Sequence, residues 1–390
     1  MQGLVDLRAH GSEHDATRLV PEPKRFGADP GFLSATAVTG LQGWNGPVTV
    51  SGTGRLFTRT APRGSRRATG LHLDELHAEY AIAPEHFLYA GRRHIVHGRS
   101  LGVNPLDVAL DPGELDRSKD TERRRSEIEG QDMVGFESLL GDRFTLTGYW
   151  TPGERALMAG AVTLPEWKAD LTALVFDDRR PGSGVSFSRT LGEALLAYAD
   201  VAVHRGRDRM VLRADRRPSA GPGTFLVEDD NRSGLFAKST VGAGFTLDSG
   251  ATFNLEYHFD ANGYSTREWD EITGLIVEND EARMDERFGA LATGNLLRLG
   301  ARLDRFALRR HYGFFRVQHP DLSGRDVAAE MSVFHGLADH SGSLGLRLEH
   351  EIGPNLLLGV EARRLYGDDL DEYGLRTRRL SGSVHITVYF

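Results

Sequence analysis

Residues 381–390 read S-G-S-V-H-I-T-V-Y-F, and the fold is decided there. Successive side chains of an extended strand point to opposite faces, so Val384, Ile386, Val388 and Phe390 fall on one side. Ser383, His385, Thr387 and Tyr389 fall on the other. One face is apolar and the other polar, and the alternation runs to the last residue without a polar tail. Such a strand suits a wall with hydrocarbon on one side and water on the other.

The same grammar recurs upstream. Phe144, Leu146 and Trp150 alternate with Thr145, Thr147 and Tyr149, and Leu171, Ala173 and Val175 alternate with Asp170 and Thr172. Leu195, Ala197, Ala199, Val201 and Val203 are interleaved with Tyr198, Asp200 and His204. Val241, Ala243, Phe245 and Leu247 lead through Asp248-Ser249-Gly250 into Ala251, Phe253, Leu255, Tyr257 and Phe259. In 343–365, Leu344, Leu346 and Leu348 are followed by the turn Ile352-Gly353-Pro354-Asn355 and then by Leu356, Leu358, Val360 and Ala362, with Gly-Pro-Asn as strong turn punctuation. Weaker strands are expected throughout, including 71–82, 208–215 and one or two within 296–318. The sum predicts an all-β chain: a single transmembrane antiparallel β-barrel of about 16–18 strands, best read as 18, spanning 1–390.

Two stretches break the pattern. Residues 96–130, rich in Asp, Glu and Arg, have too few apolar residues for a strand pair and read as a long charged loop or a plug folded into the barrel. Residues 261–292 read as a long acidic loop on the extracellular side, with a short helix marked by Trp269, Ile272 and Ile276.

Composition removes several function classes. With no cysteine there is no disulfide framework, thiolate nucleophile or Cys-based metal site. A formal charge of −8 argues against a nucleic-acid partner, whose phosphates demand a positive surface. Of the 47 basic residues only Lys24, Lys119, Lys168 and Lys238 are lysine; a GC-rich genome explains that bias, although arginine also suits anions. No apolar run approaches the ~20 residues of a membrane-spanning helix, a test that barrel strands do not need to pass. The opening M-Q-G-L-V-D-L-R lacks a basic segment followed by an apolar core, so an export signal is expected to have been removed ahead of Met1.

With the strands in place, the chain resembles the Gram-negative outer-membrane β-barrel channels, the porin-like proteins. In that group a terminal Phe preceded by alternating apolar residues is the assembly signal, which here implies Val384, Ile386, Val388 and Phe390. The stretches Y-A-G-R-R-H-I-V-H-G-R at 89–99, N-P-L-D at 104–107 and E-G-Q-D-M-V-G-F-E at 129–137 are similar to barrels near the alginate-export porin. The resemblance implies a place in the bacterial outer membrane, passive passage of a hydrophilic solute, and no cofactor. Its implied partners are outer-membrane lipid, the barrel-assembly machinery, and a hydrophilic solute or polysaccharide. The alternatives are a polysaccharide-export porin of the alginate-export type, a barrel-embedded lipid hydrolase, or a secreted β-rich carbohydrate-binding protein.

Enzyme motifs are not found: there is no Walker loop, dinucleotide fingerprint or His-Glu-x-x-His, and no metal or catalytic set is expected. His94 and His97 fall on opposite faces of a strand, and Ser383 with His385 reads better as lumen lining than as a hydrolase pair. Positions opposite the apolar rows give the lumen-lining candidates Arg55, Arg59, Arg143, Lys168, Arg209, Arg213, Glu256, Arg347, Glu349, Glu361, Arg363 and Arg379. Two readings of that set stay open: a structural network of cross-strand ion pairs, or an arginine track that selects anions.

Overall fold

The computed structural model describes residues 2–20, 31–60, 67–106, 130–152, 155–177, 181–207, 211–215, 221–228, 234–303 and 307–390. Eighteen strands form one antiparallel sheet in which each pairs with its neighbours in chain order. The first, Gln2–His14, pairs with both Gly31–Asn45 and the last, Arg378–Tyr389, so the sheet closes into a barrel. Closure leaves no unpaired edge, which is what lets a sheet stand in hydrocarbon.

The terminal strand has the two faces its sequence predicts. Val384, Ile386 and Val388 are 56%, 42% and 43% exposed, whereas Ser383, His385 and Thr387 are 7%, 1% and 4% exposed. Around the wall the outward positions carry large apolar side chains, among them Leu7, Leu56, Val134, Val175, Leu255, Leu346 and Val360. An apolar belt of this extent has no counterpart on a water-soluble monomer. Replacing Leu255 with Arg is expected to destabilise the refolded barrel by ~2–4 kcal/mol, and the inward-pointing Thr172→Arg by much less. Urea titration of the two variants in lipid vesicles reads the difference, and equal costs would mean that the faces are misassigned.

One strand changes its outward parity partway along. In Arg67–Ala83, Leu71 and Leu73 point outward, then Leu76, Tyr80 and Ile82 do. The pairing register with Val48–Thr60 slips between Thr53 and Gly54, leaving Asp74 as the extra residue of a bulge. A bulge shifts the alternation by one, and it drives Asp74 inward, where it accepts a hydrogen bond from Arg55 at 3.0 Å.

The two barrel ends differ. Connections at the end that holds Gly3 and Phe390 are turns of two to seven residues. The other end carries the long connections, including 94–130, 206–234 and 261–310. There the structure departs from the expected acidic loop with one short helix. Helix α1, Thr266–Ala282, and helix α2, Gly289–Leu303, form a packed pair. Part of 296–318 was therefore expected to be strand and is helix: Ala292, Leu296, Leu299 and Leu303 are buried at helical spacing, and the wall strand starts only at His311. Trp269, Ile272 and Ile276 meet Leu296, Leu299 and Leu303 in a core completed by Leu19, Leu212, Tyr264, Leu308 and Leu375. The carboxylates of α1 lie on its other faces, which reconciles an acidic sequence with a folded cap.

A capping box starts α1: the Ser265 hydroxyl accepts from the Glu268 amide, and Glu268 accepts from the Ser265 amide at 2.7 Å. Partial burial pushes the Glu268 carboxyl up, but the Ser265 amide and hydroxyl and the Arg207 guanidinium outweigh that and hold it below the usual carboxylate range.

Candidate functional site

The inner face of the wall meets a strap of chain. After the strand His86–Arg93, residues 94–106 turn into the barrel and reach the strand Thr252–Asp260, eight positions further round the eighteen-strand circle. The strap therefore crosses the lumen close to a diameter. Of the expected loop or plug at 96–130, residues 96–106 and 130 are described, and 107–129 lie outside the described residues.

Two buried carboxylates hold the strap by its backbone. Asp200 Oδ2 accepts from the amides of Arg99 and Ser100 at 2.8 and 2.9 Å and from the Ser100 hydroxyl at 2.5 Å. Glu256 accepts from the amides of Leu101 and Gly102, both at 2.7 Å, and from the Tyr198 hydroxyl at 2.5 Å. The Thr240 hydroxyl donates to the Val103 carbonyl at 2.8 Å. Four consecutive backbone N–H groups thus end on two carboxylates, and hydrogen bonds to a charged carboxylate are about twice as strong as neutral ones. Gly98 is required here: its φ is +86°, and a β-carbon would come within 2.6 Å of Asn104 and 2.9 Å of Asp200. Beyond the anchors, Leu106 fills the space inside the barrel against Tyr89, Met133, Leu157, Leu174 and Ala202.

The strap divides the lumen, and a cavity of about 750 Å³ lies on the side away from Leu106. Its wall comes from the first strand and the strands between Val327 and Tyr389, its inner boundary includes Gly102 of the strap, and Leu19, Trp269, Gly300, Leu303 and Leu375 of the cap bound it at the loop end. Arg8, Arg347, Arg363, Arg376 and Arg378 line it together with Glu330, Glu361 and Glu372.

The hairpin register brings the charges together. Arg347 sits directly opposite Glu361, with Nε 3.3 Å from Oε1, and Arg8 reaches the other oxygen of Glu361 at 3.3 Å. Glu349 and Arg363 lie further along the same face, and Arg363 lines the cavity. Gly353, with φ at +68°, closes the turn, and Asn355 clamps it to the terminal strand through a bond from its side chain to the Tyr389 carbonyl at 2.9 Å.

The other sequence-derived candidates scatter. Arg55 stands on the inner wall paired with Asp74, Arg59 stacks over Phe32 at 3.7 Å near the loop end, and Arg379 lies 4.0 Å from Asp15. Glu256 holds the strap rather than facing open water. Arg143 stands in the short turn before Phe144 and pairs with Glu166 at 2.5 Å. Lys168 caps a single 3₁₀ turn with a left-handed backbone and donates to the Gly192 carbonyl at 3.2 Å. Both therefore belong to the short-turn rim, because alternation continues in the sequence past the point where the strand stops.

Arg213 belongs to Val211–Asp215, which among the described residues pairs only with Thr224–Glu228. Five residues cannot cross a bilayer that demands about 9–11, so the expected wall strand at 208–215 is instead half of a hairpin in a connection. Arg209 lies outside the described residues. Ser383 and His385 both point inward as expected.

No protein-family model and no curated protein sequence matches the chain. Among solved structures, the whole chain is similar to three Pseudomonas aeruginosa proteins. They are OccK3 (OpdO), at TM-score 0.54, 10% identity and 95% of that chain covered; OccK11 (OpdR), at 0.54, 10% and 95%; and OccK5 (OpdH), at 0.53, 9% and 97%. The chain thus shares the fold of these proteins, a single closed antiparallel β-barrel, here of eighteen strands.

Proposed function

We propose that this chain is a bacterial outer-membrane channel that passes a small hydrophilic solute without chemistry. The observation that carries the reading is the charged cavity of about 750 Å³ inside a closed barrel whose outer face is apolar. The belt faces outer-membrane lipid, and the barrel-assembly machinery inserts the protein. A chord of chain across the lumen and a folded cap at one mouth favour a small solute over a polymer, since an exporter of polysaccharide needs a lumen wide and wet along its length. The solute crosses beside Arg347, Glu361 and Arg363, where charges on a narrow wet wall act on passing ions.

Planar-bilayer recording tests this. Replacing Arg347 and Arg363 together with Gln is expected to shift the reversal potential in a salt gradient toward cations, with stability changed by no more than about 1 kcal/mol. If neither the parent protein nor the variant passes current or sugar, the channel reading fails and the barrel is structural.

A further inference from the structure

Three neighbouring strands place a second constellation on the inner wall. In the ladders of Gly342–Glu351, Leu356–Tyr366 and Arg378–Tyr389, Glu349 and His385 both lie opposite Gly359. The imidazole of His385 lies over that glycine, where a β-carbon would come within 2.1 Å of the ring. The ring thus reaches across the middle strand, and its Nε2 stands 3.5 Å from Glu349 Oε1. Glu361 follows Gly359 on the same face, and one ligand atom from each of Glu349, Glu361 and His385 falls within 4.8 Å of the other two.

His385 supplies the decisive observation. It is 1% exposed, and among the described residues neither ring nitrogen has a hydrogen-bond partner. Burying a polar group without a partner costs about 1–3 kcal/mol, so the position calls for a partner that the described residues do not provide. A separation of 3.5 Å is too long for a hydrogen bond, yet it is close to the roughly 3.3 Å between two atoms each ~2.0–2.1 Å from one tetrahedral ion.

We propose that Glu349, Glu361 and His385 bind one divalent transition-metal ion of the zinc class, with lumen water completing its coordination. An imidazole nitrogen disfavours calcium and magnesium, which take oxygen ligands, whereas one His with two carboxylates suits zinc. Glu361 lines the cavity, so the ion enters from the lumen. Arg8 and Arg347 hold Glu361 at 3.3 Å each, longer than the ~2.7–2.9 Å of a strong charge-assisted contact, so the carboxylate can turn toward the ion. Their positive charge also weakens the site. Occupancy loosens both guanidinium groups from Glu361 and exposes them to the cavity.

The test needs no conductance. Full-length protein refolded in detergent, stripped with EDTA and dialysed is titrated with zinc chloride by calorimetry. The expected result is one saturable equivalent, weakened more than about tenfold in Glu349→Gln and in His385→Gln and unchanged in the control His335→Gln. X-ray absorption at the zinc edge should show a single imidazole nitrogen among oxygens. No saturable equivalent in the parent protein, or one that survives Glu349→Gln, overturns the proposal. If His385→Gln fails to become heat-modifiable, Glu349→Gln decides alone, being isosteric and on a different strand.

Discussion

Deleting Phe390 is expected to lower the yield of folded, heat-modifiable protein more than about tenfold in refolding from urea into detergent. The last residue closes the seam: the Phe390 amide donates to the Gly3 carbonyl and the Gly3 amide donates to the Phe390 carbonyl, both at 3.0 Å. Two backbone hydrogen bonds at ~1 kcal/mol each, with the ring packed over Gly3, exceed the ~1.4 kcal/mol that makes a factor of ten. Gly3 has no side chain, and a β-carbon there would lie 2.5 Å from the ring, so the aromatic covers backbone that would otherwise be bare. Phe390→Tyr keeps both the backbone and the ring and should refold normally. A deletion variant that refolds like the parent protein would show that the seam closes without this residue.

The second large effect is expected from the strap. In Asp200→Ala/Glu256→Ala, five donors from the strap, the amides of residues 99–102 and the Ser100 hydroxyl, lose their acceptors together. Charge-assisted bonds are worth about 1.5–3 kcal/mol each, so even with water replacing most of them the strap should leave its dock. Single-channel conductance should rise several-fold, and proteolysis near Arg99 should accelerate while the wall strands stay protected from hydrogen exchange. Unchanged conductance with a protected strap would mean that Leu106 and its apolar neighbours hold the chord by themselves. Asp200→Asn, which keeps an acceptor without the charge, should fall between the two.

Alternation is a local property, and that is why so much of the wall was legible in the sequence. A strand that separates hydrocarbon from a polar interior must change character at every residue, so rows such as Val384, Ile386, Val388 identify both the strand and its outward face. The turn Gly353-Pro354-Asn355 likewise sets the pairing of Arg347 with Glu361, since a tight turn leaves a hairpin one register. The bulge at Asp74, which switches the outward positions from Leu71 and Leu73 to Leu76, Tyr80 and Ile82, was not readable.

What the tertiary structure alone decided involves partners far apart in the chain. Residues 94–106 have no periodicity of their own, and their path depends on Asp200 and Glu256, about a hundred and more residues away. Helix α2 was hidden because leucines at helical spacing also satisfy a loose strand reading; only burial against α1, Leu19 and Leu375 selects the helix. Arg143, Lys168 and Arg213 were misplaced because alternation marks polarity without marking where a strand ends. The Glu349, Glu361 and His385 cluster comes from three strands and from a glycine between them that lets a ring lie flat. Residue types along one strand specify its two faces, but which side chains meet across strands depends on the register and closure of the whole barrel.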